Sequence, residues 1–212
     1  MSAREASKRE RTVRIQQAAE RLLRTRSIED VTTREVAEEA GVGEATLFRY
    51  IGSKHELLFM VYGNRMDELL SAIEQHDAMT AIAAASAPKT GEHYLDRILN
   101  AYRTRCDFYL ENPENAAIYL RAGFDTKNPG RGRNLAQGDR SIRLTTAILT
   151  DGQAEGVLDS RVEPRLVAQN CHAIYMHEID RTPTRGYAPD TIWDRVRPRL
   201  HAQLDLLVIG RP

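Results

Sequence analysis

The chain has little of what builds covalent staples, metal sites or membrane spans: two cysteines and one tryptophan in 212 residues. Cys106 and Cys171 stand far apart and match neither a zinc spacing nor a disulfide framework, which is the cysteine usage of a reducing compartment. No apolar run approaches the roughly 18 residues that a membrane helix needs, and the N-terminus is charged instead of signal-like. A cytoplasmic protein with no membrane partner is therefore expected. The sequence also lacks a phosphate-cradling glycine loop, a nucleophile elbow, and any Asp/His/Ser grouping that its spacing can unite. Enzymatic activity and a cofactor are not expected. His172, Met176 and His177 lie close together, but no carboxylate or cysteine pair completes a metal site. Neither an internal repeat nor a convincing strand is found.

Charge is what the chain does have, and it is unevenly placed. The formal net charge is zero. Residues 1–26 nevertheless carry eight basic side chains (Arg4, Lys8, Arg9, Arg11, Arg14, Arg21, Arg24, Arg26) against three acidic ones (Glu5, Glu10, Glu20). A basic leading segment suits a polyanion, because neutralising phosphates releases their counterions. A simply solvated terminus is the other reading.

Helical periodicity dominates the rest. Ile15, Ala18, Ala19, Leu22 and Leu23 form the apolar stripe of a first helix. Thr32 and Glu35 make a capping box at the start of a second helix, which buries Val36, Ala37 and Ala40. Gly41 suits a reversal with positive φ, and Val42 plugs the turn. A short helix from about Glu44 to Tyr50 follows. A second capping box, Ser53 to Glu56, opens a long helix with the stripe Leu58, Val61, Tyr62, Met66, Leu69 and Ile73. The stretch Thr80 to Gly91, with Pro88, reads as a loop. Further helices are expected up to Pro113, over Glu114 to Arg121, near Leu135 to Glu155, near Glu163 to Asp180, and near Asp190 to Val208, with a loop at Asp125 to Arg133. The fold class is all-α with about nine helices.

The informative block is TTREVAEEAGVGEATLFRYIGSK, Thr32 to Lys54. Two short helices joined by a tight turn, behind a third, can hold a helix rigidly enough to enter a major groove about 12 Å wide. Glu44, Ala45 and Thr46 form the small and polar side of the short helix. Leu47 and Ile51 are expected inside. Arg49, Tyr50 and Lys54 suit phosphates.

This block, within residues 12 to 62, resembles the TetR family of bacterial regulators: VTTREVAEEAGV, LFRYI and SKHELL carry the likeness. The resemblance implies that residues 1–56 form a helix-turn-helix DNA-binding domain of three helices and that residues 57–212 form a helical ligand-sensing and dimerisation domain. It implies DNA-backbone contacts at Thr33, Arg34, Tyr50 and Lys54, with Glu44, Ala45 and Thr46 facing bases. Glu44 suits either a cytosine amine or the helix dipole. The sequence departs from the family pattern at Phe48, where a tyrosine is common, and at Ile51, where an aromatic is frequent. Phe48 offers phosphate no hydroxyl, leaving van der Waals contact with DNA or a place in the core.

In the second domain the resemblance implies a pocket enclosed by helices 5 to 7 and a dimer interface made by the last two helices. Polar or aromatic residues on buried helix faces are the pocket candidates: Tyr102, Cys106, Tyr109, Tyr119, Phe124, Asn170, Tyr175 and His177. Such a pocket suits a mostly apolar small molecule; plain core is the other reading of each. Trp193, Val196, Leu200, Leu204 and Leu207 form the apolar face of the last helix, suited to a homodimer interface or to intramolecular core. The function expected is a transcriptional regulator, a repressor released from a palindromic double-stranded operator by a small-molecule effector. The alternative is a DNA-binding architectural or protein-interaction module without a ligand.

Overall fold

A computed structural model describes residues 3–84, 86 and 89–210, with the side chains of residues 3 and 4 excepted. It contains nine α-helices among these residues: α1 (Ala3–Leu23), α2 (Thr33–Glu39), α3 (Glu44–Leu47), α4 (Lys54–Ala83), α5 (Gly91–Glu111), α6 (Pro113–Arg121), α7 (Arg131–Ala154), α8 (Pro164–Thr184) and α9 (Ile192–Leu204). Extended pairing among them is limited to one isolated antiparallel bridge, Leu158 to Val208. The all-α expectation holds. Helix α4 continues to Ala83 and α5 starts at Gly91, so the expected loop is shorter; Pro88 within it lies outside the described residues. Helix α7 begins at Arg131, four residues before its apolar stripe, because Gly130 and Asn134 are already joined by a helical hydrogen bond of 3.0 Å.

The chain divides into two compact units, one of residues 1–66 with 111–134, the other of residues 67–110 with 135–212. In the first, Ile15, Ala18, Ala19 and Leu23 of α1 are buried with Ile28, Val36, Leu47 and Leu57. This removes from water the apolar stripe that the sequence marked, which is the main driving force for the packing. The end of α1 is closed by a distant residue. Buried Asn115 of α6 accepts from the Ile28 N–H at 2.8 Å and donates to the carbonyls of Leu23 (3.1 Å) and Arg26 (2.8 Å). Carbonyls at a helix end lack intrahelical partners, and Asn115 supplies them.

In the second unit, α8 packs on α9, whose Ile192, Val196, Leu200 and Leu204 are all 0% exposed. Buried Glu178 of α8 pairs with Arg195 at 2.9 Å and Arg199 at 3.2 Å, both from α9. Helix α4 is tied to α5 by the two-pronged Arg97–Asp77 pair (2.7 and 2.9 Å) and to α7 by Arg140–Glu74 (2.9 and 2.7 Å). At Gly152 the chain approaches so closely that an added Cβ would lie 2.5 Å from Leu158.

Candidate nucleic-acid interface

The second helix is fixed at both ends by its own sequence. The Thr32 hydroxyl accepts from the Glu35 N–H (3.2 Å), and the Glu35 carboxylate accepts from the Thr32 N–H (2.8 Å), completing the expected capping box. Glu35 also takes a 2.8 Å bond from Arg26, and these donors hold its carboxyl well below the usual range, at about 2. At the other end Gly41 has φ of 63°, the Val42 N–H donates to the Ala37 carbonyl (2.9 Å), and the Gly41 N–H to that of Glu38 (3.1 Å). This pair of bonds is the Schellman closure that a left-handed glycine permits.

The turn delivers α3, which is shorter than the expected Glu44–Tyr50. Only Glu44–Leu47 is α-helical, with tighter turns carrying the chain on as the Arg49 and Tyr50 N–H groups bond three residues back. Leu47 is 0% and Ile51 4% exposed, so both anchor the element from beneath. Glu44, Ala45 and Arg49 are exposed, while Thr46 and Tyr50 are half-buried. Phe48 is 51% exposed, which excludes the core reading of that residue.

Several candidate contacts are already engaged, some with one another and some with neighbouring carboxylates. The Thr33 hydroxyl donates to Glu44 Oε1 at 2.8 Å, joining the first turns of α2 and α3. Arg34 bonds Glu38 at 2.9 Å, and that carboxylate raises its pKa. Arg49 donates to Thr46 Oγ1 at 3.1 Å. Lys54 Nζ donates to the Glu29 carbonyl at 3.0 Å and lies 3.8 Å from the Glu29 carboxylate. Arg34 and Glu38 are both largely exposed, and solvent screens such a pair so strongly that a phosphate can displace Glu38. The second capping box is altered. Ser53 accepts from the Glu56 N–H at 3.2 Å, but the Glu56 carboxylate reaches one residue further back, to the Gly52 N–H at 2.8 Å.

Residues 15–61, which contain this whole arrangement, match the family model described as bacterial regulatory proteins, tetR family. Over that segment the chain resembles the tetR family of bacterial regulatory proteins. Solved structures share its fold over nearly the full length. A putative TetR-family regulator from Mesorhizobium loti covers 99% of this chain and 100% of its own, with a TM-score of 0.65 and 15% identity. A TetR regulator from Haloarcula marismortui covers 93% and 98%, with a TM-score of 0.68 and 20% identity. Thermus thermophilus FadR, a TetR-family repressor in complex with lauroyl-CoA, covers 94% and 96%, with a TM-score of 0.65 and 19% identity. At these identities the likeness is one of fold. No curated protein sequence matches. None of the described helices is long and apolar enough to cross a membrane.

The pocket candidates separate. Tyr102, Cys106, Tyr109 and Tyr175 are buried in the second unit. Tyr119 is buried in the first unit, with its ring centroid 6.2 Å from that of Tyr62 and 6.4 Å from that of Phe59. Three expectations are corrected. Phe124 is 70% exposed, on a short 3-10 turn after α6, where its side chain lines no interior. Asn170 and His177 sit on the exposed side of α8, and His177 Nε2 is bonded by Arg181 at 3.1 Å. Among the interface candidates, Val196, Leu200, Leu204 and Leu207 are already buried within the chain, while Trp193 is half-buried with the Arg103 guanidinium 5.9 Å from its ring. A side chain already removed from water by its own fold adds no apolar area to a dimer.

One residue that motif reading passed over stands out. Arg105 is 4% exposed and lines a void of the second unit with Leu70, Ile73, Tyr102, Ser141 and Thr145. Its spacing from Tyr102 and Tyr109 put it on the buried face of α5, a signal present in the sequence.

Proposed function

We propose that the chain is a cytoplasmic, homodimeric repressor that holds a palindromic operator through α3 of each copy and releases it when a small effector enters the helical unit. Residues 1–56 would serve DNA and residues 57–212 would sense and dimerise. The observation that carries the reading is the rigid α2–turn–α3 unit. It is anchored from below by Leu47 and Ile51 and presents Glu44, Ala45, Phe48 and Arg49 outward. Glu44, Ala45 and Thr46 face base edges, Phe48 makes apolar contact, and Thr33, Arg34, Arg49, Tyr50 and Lys54 hold phosphates. Two copies reading successive major grooves must place α3 about 34 Å apart, so a modest movement is enough to end binding. For the dimer contact, support comes from α8, whose Leu166, Asn170, Ala173 and His177 recur at helical spacing on its exposed side, and from exposed Leu206.

The void beside Tyr102 measures about 10 Å³, room for one water molecule. An effector must therefore part its walls, and Leu70 and Ile73 in those walls belong to α4, the helix that begins at Lys54. The small void also favours the second reading, a DNA-binding architectural or interaction module without a ligand. Selection of bound duplexes from a random pool at near-physiological salt tests the regulator. A palindromic consensus is expected, and recovery of no enriched sequence would overturn specific operator binding in favour of the module.

A further inference from the structure

Among the described residues Arg105 is a buried cation without an anion. A guanidinium cannot shed its proton in a protein, and a charge removed from water is costly unless it is paired. Among the described residues Arg105 makes no ion pair. Its neighbours are two aromatic rings, with the guanidinium carbon 4.0 Å from the Tyr175 centroid and 5.5 Å from that of Tyr102, and His172, whose Nδ1 lies 3.4 Å from Nη1. Burial, reinforced by the Arg105 charge, pushes the His172 pKa down to about 3, so the imidazole is neutral and its Nδ1 accepts from Arg105. Cation–π contact and one neutral acceptor offset only part of the desolvation. The Arg105 Nε remains without a partner among the described residues.

The nearest carboxylate on the void is committed elsewhere. Glu74 lines the same void as Arg105 and is taken by Arg140 through two bonds of 2.9 and 2.7 Å. What remains around the opening is Arg105, the hydroxyls of Tyr102, Ser141 and Thr145, and an apolar wall of Leu70, Ile73, Ala101 and Leu144. Forked donors with hydroxyls behind an apolar wall match a planar monoanion carrying a hydrocarbon body.

We propose that the effector is a small monocarboxylic acid whose carboxylate is received by Arg105 in this void, its apolar body lying against Leu70, Ile73 and Leu144. The inference rests on the effector-release reading above and names the chemical class of that effector. It narrows the mostly apolar ligand expected from sequence to one with an anionic head. Two oxygens accept from the guanidinium fork and the Tyr102 hydroxyl, satisfying the Arg105 Nε now unpaired. The body has no room in the present void, so binding spreads the walls formed by α4, α5 and α7.

The test uses the full chain, as wild type, Arg105→Met and Arg105→Lys, titrated with straight-chain monocarboxylates from acetate to dodecanoate and with benzoate. Octanol and octyl phosphate serve as isosteric controls, and binding is read by thermal unfolding and calorimetry. Without ligand, Arg105→Met is expected to melt no lower than wild type, since it replaces an unpaired buried charge by an apolar chain of similar reach. At least one acid should raise the wild-type Tm, with affinity reduced about 30-fold or more in Arg105→Met and less in Arg105→Lys. A lower melting point of unliganded Arg105→Met would show that the fold itself satisfies the arginine and would overturn the proposal. So would stabilisation by no acid, equal binding of octanol, or preferential Arg105-dependent binding of octyl phosphate. Arg105-dependent acid binding that leaves operator affinity unchanged sinks the effector-release reading alone. Operator release by a compound that ignores Arg105 sinks this inference alone.

Discussion

The hydroxyl of Thr33 donates to the carboxylate of Glu44 at 2.8 Å, and through that bond the first turns of α2 and α3 are joined on the surface proposed to meet DNA. One carboxylate oxygen is used in the tie, and the other is left to face the groove. Glu44→Gln keeps an acceptor for Thr33 while turning the outward group into an amide. Base preference should then move from cytosine toward adenine at one position of each half-site. Repeating the duplex selection with the variant checks this; an unchanged consensus would leave Glu44 as a tie alone.

Arg34 is largely exposed and Lys54 only partly so, with Lys54 also bonded to the Glu29 carbonyl at 3.0 Å. Arg34→Ala should lower the magnitude of the salt slope of DNA binding by about one unit at unchanged Tm. Lys54→Ala should lower the slope similarly and also cost stability. Titrations over a range of salt, paired with melting curves, separate the two, and an unaltered slope removes a residue from the phosphate contacts.

Leu204 is wholly buried and Leu206 is 81% exposed. Leu204→Ala should therefore destabilise the fold by about 2–5 kcal/mol through the cavity it leaves against its neighbours. Leu206→Glu should leave unfolding nearly unchanged and weaken self-association. Denaturant unfolding and sedimentation measure the two effects, and a monomeric but fully stable Leu204→Ala would restore that residue to the interface.

Glu35 has its carboxyl lowered to about 2, first by the hydrogen bond from Arg26 and then by the Thr32 N–H and hydroxyl. A group whose folded pKa lies below its unfolded value stabilises the fold above the unfolded pKa, and that contribution is lost as pH falls through the folded one. The loss from this group is expected between about pH 4.5 and 2. Glu35→Gln should flatten acid unfolding in that window, read by circular dichroism. An identical acid limb would mean that the pairing does not persist in solution.

Burial pushes the thiols of Cys106 and Cys171 up to about 12. Neither should react with a disulfide reagent at pH 8 in the native state, because the attacking species is the thiolate. Both should react after unfolding. Rapid native labelling would mean that the second unit opens readily.

Much of the α1–α3 region was legible because its determinants are local. Thr32 with Glu35, Gly41 with Val42, and the stripe from Ile15 to Leu23 act over a few residues, so spacing alone reveals them. The second unit was legible as helices but not as a site. Asn170, His177 and Phe124 are exposed, and Val196, Leu200 and Leu204 are buried within the chain, because helical periodicity marks an apolar face without saying what covers it.

By itself the sequence determined the helical class, the capped and turned α2–α3 unit, and the identity of the groups it displays, since propensity, capping and glycine conformation operate between near neighbours. Only the tertiary structure decided that Asn115 closes the end of α1, that Glu44 is tied to Thr33, that α9 packs on α8, and that Arg105 is enclosed with aromatic rings and, among the described residues, no carboxylate partner. These depend on which distant side chains share a small volume. Burial and charge pairing follow from that sharing, and no spacing along the chain encodes it directly.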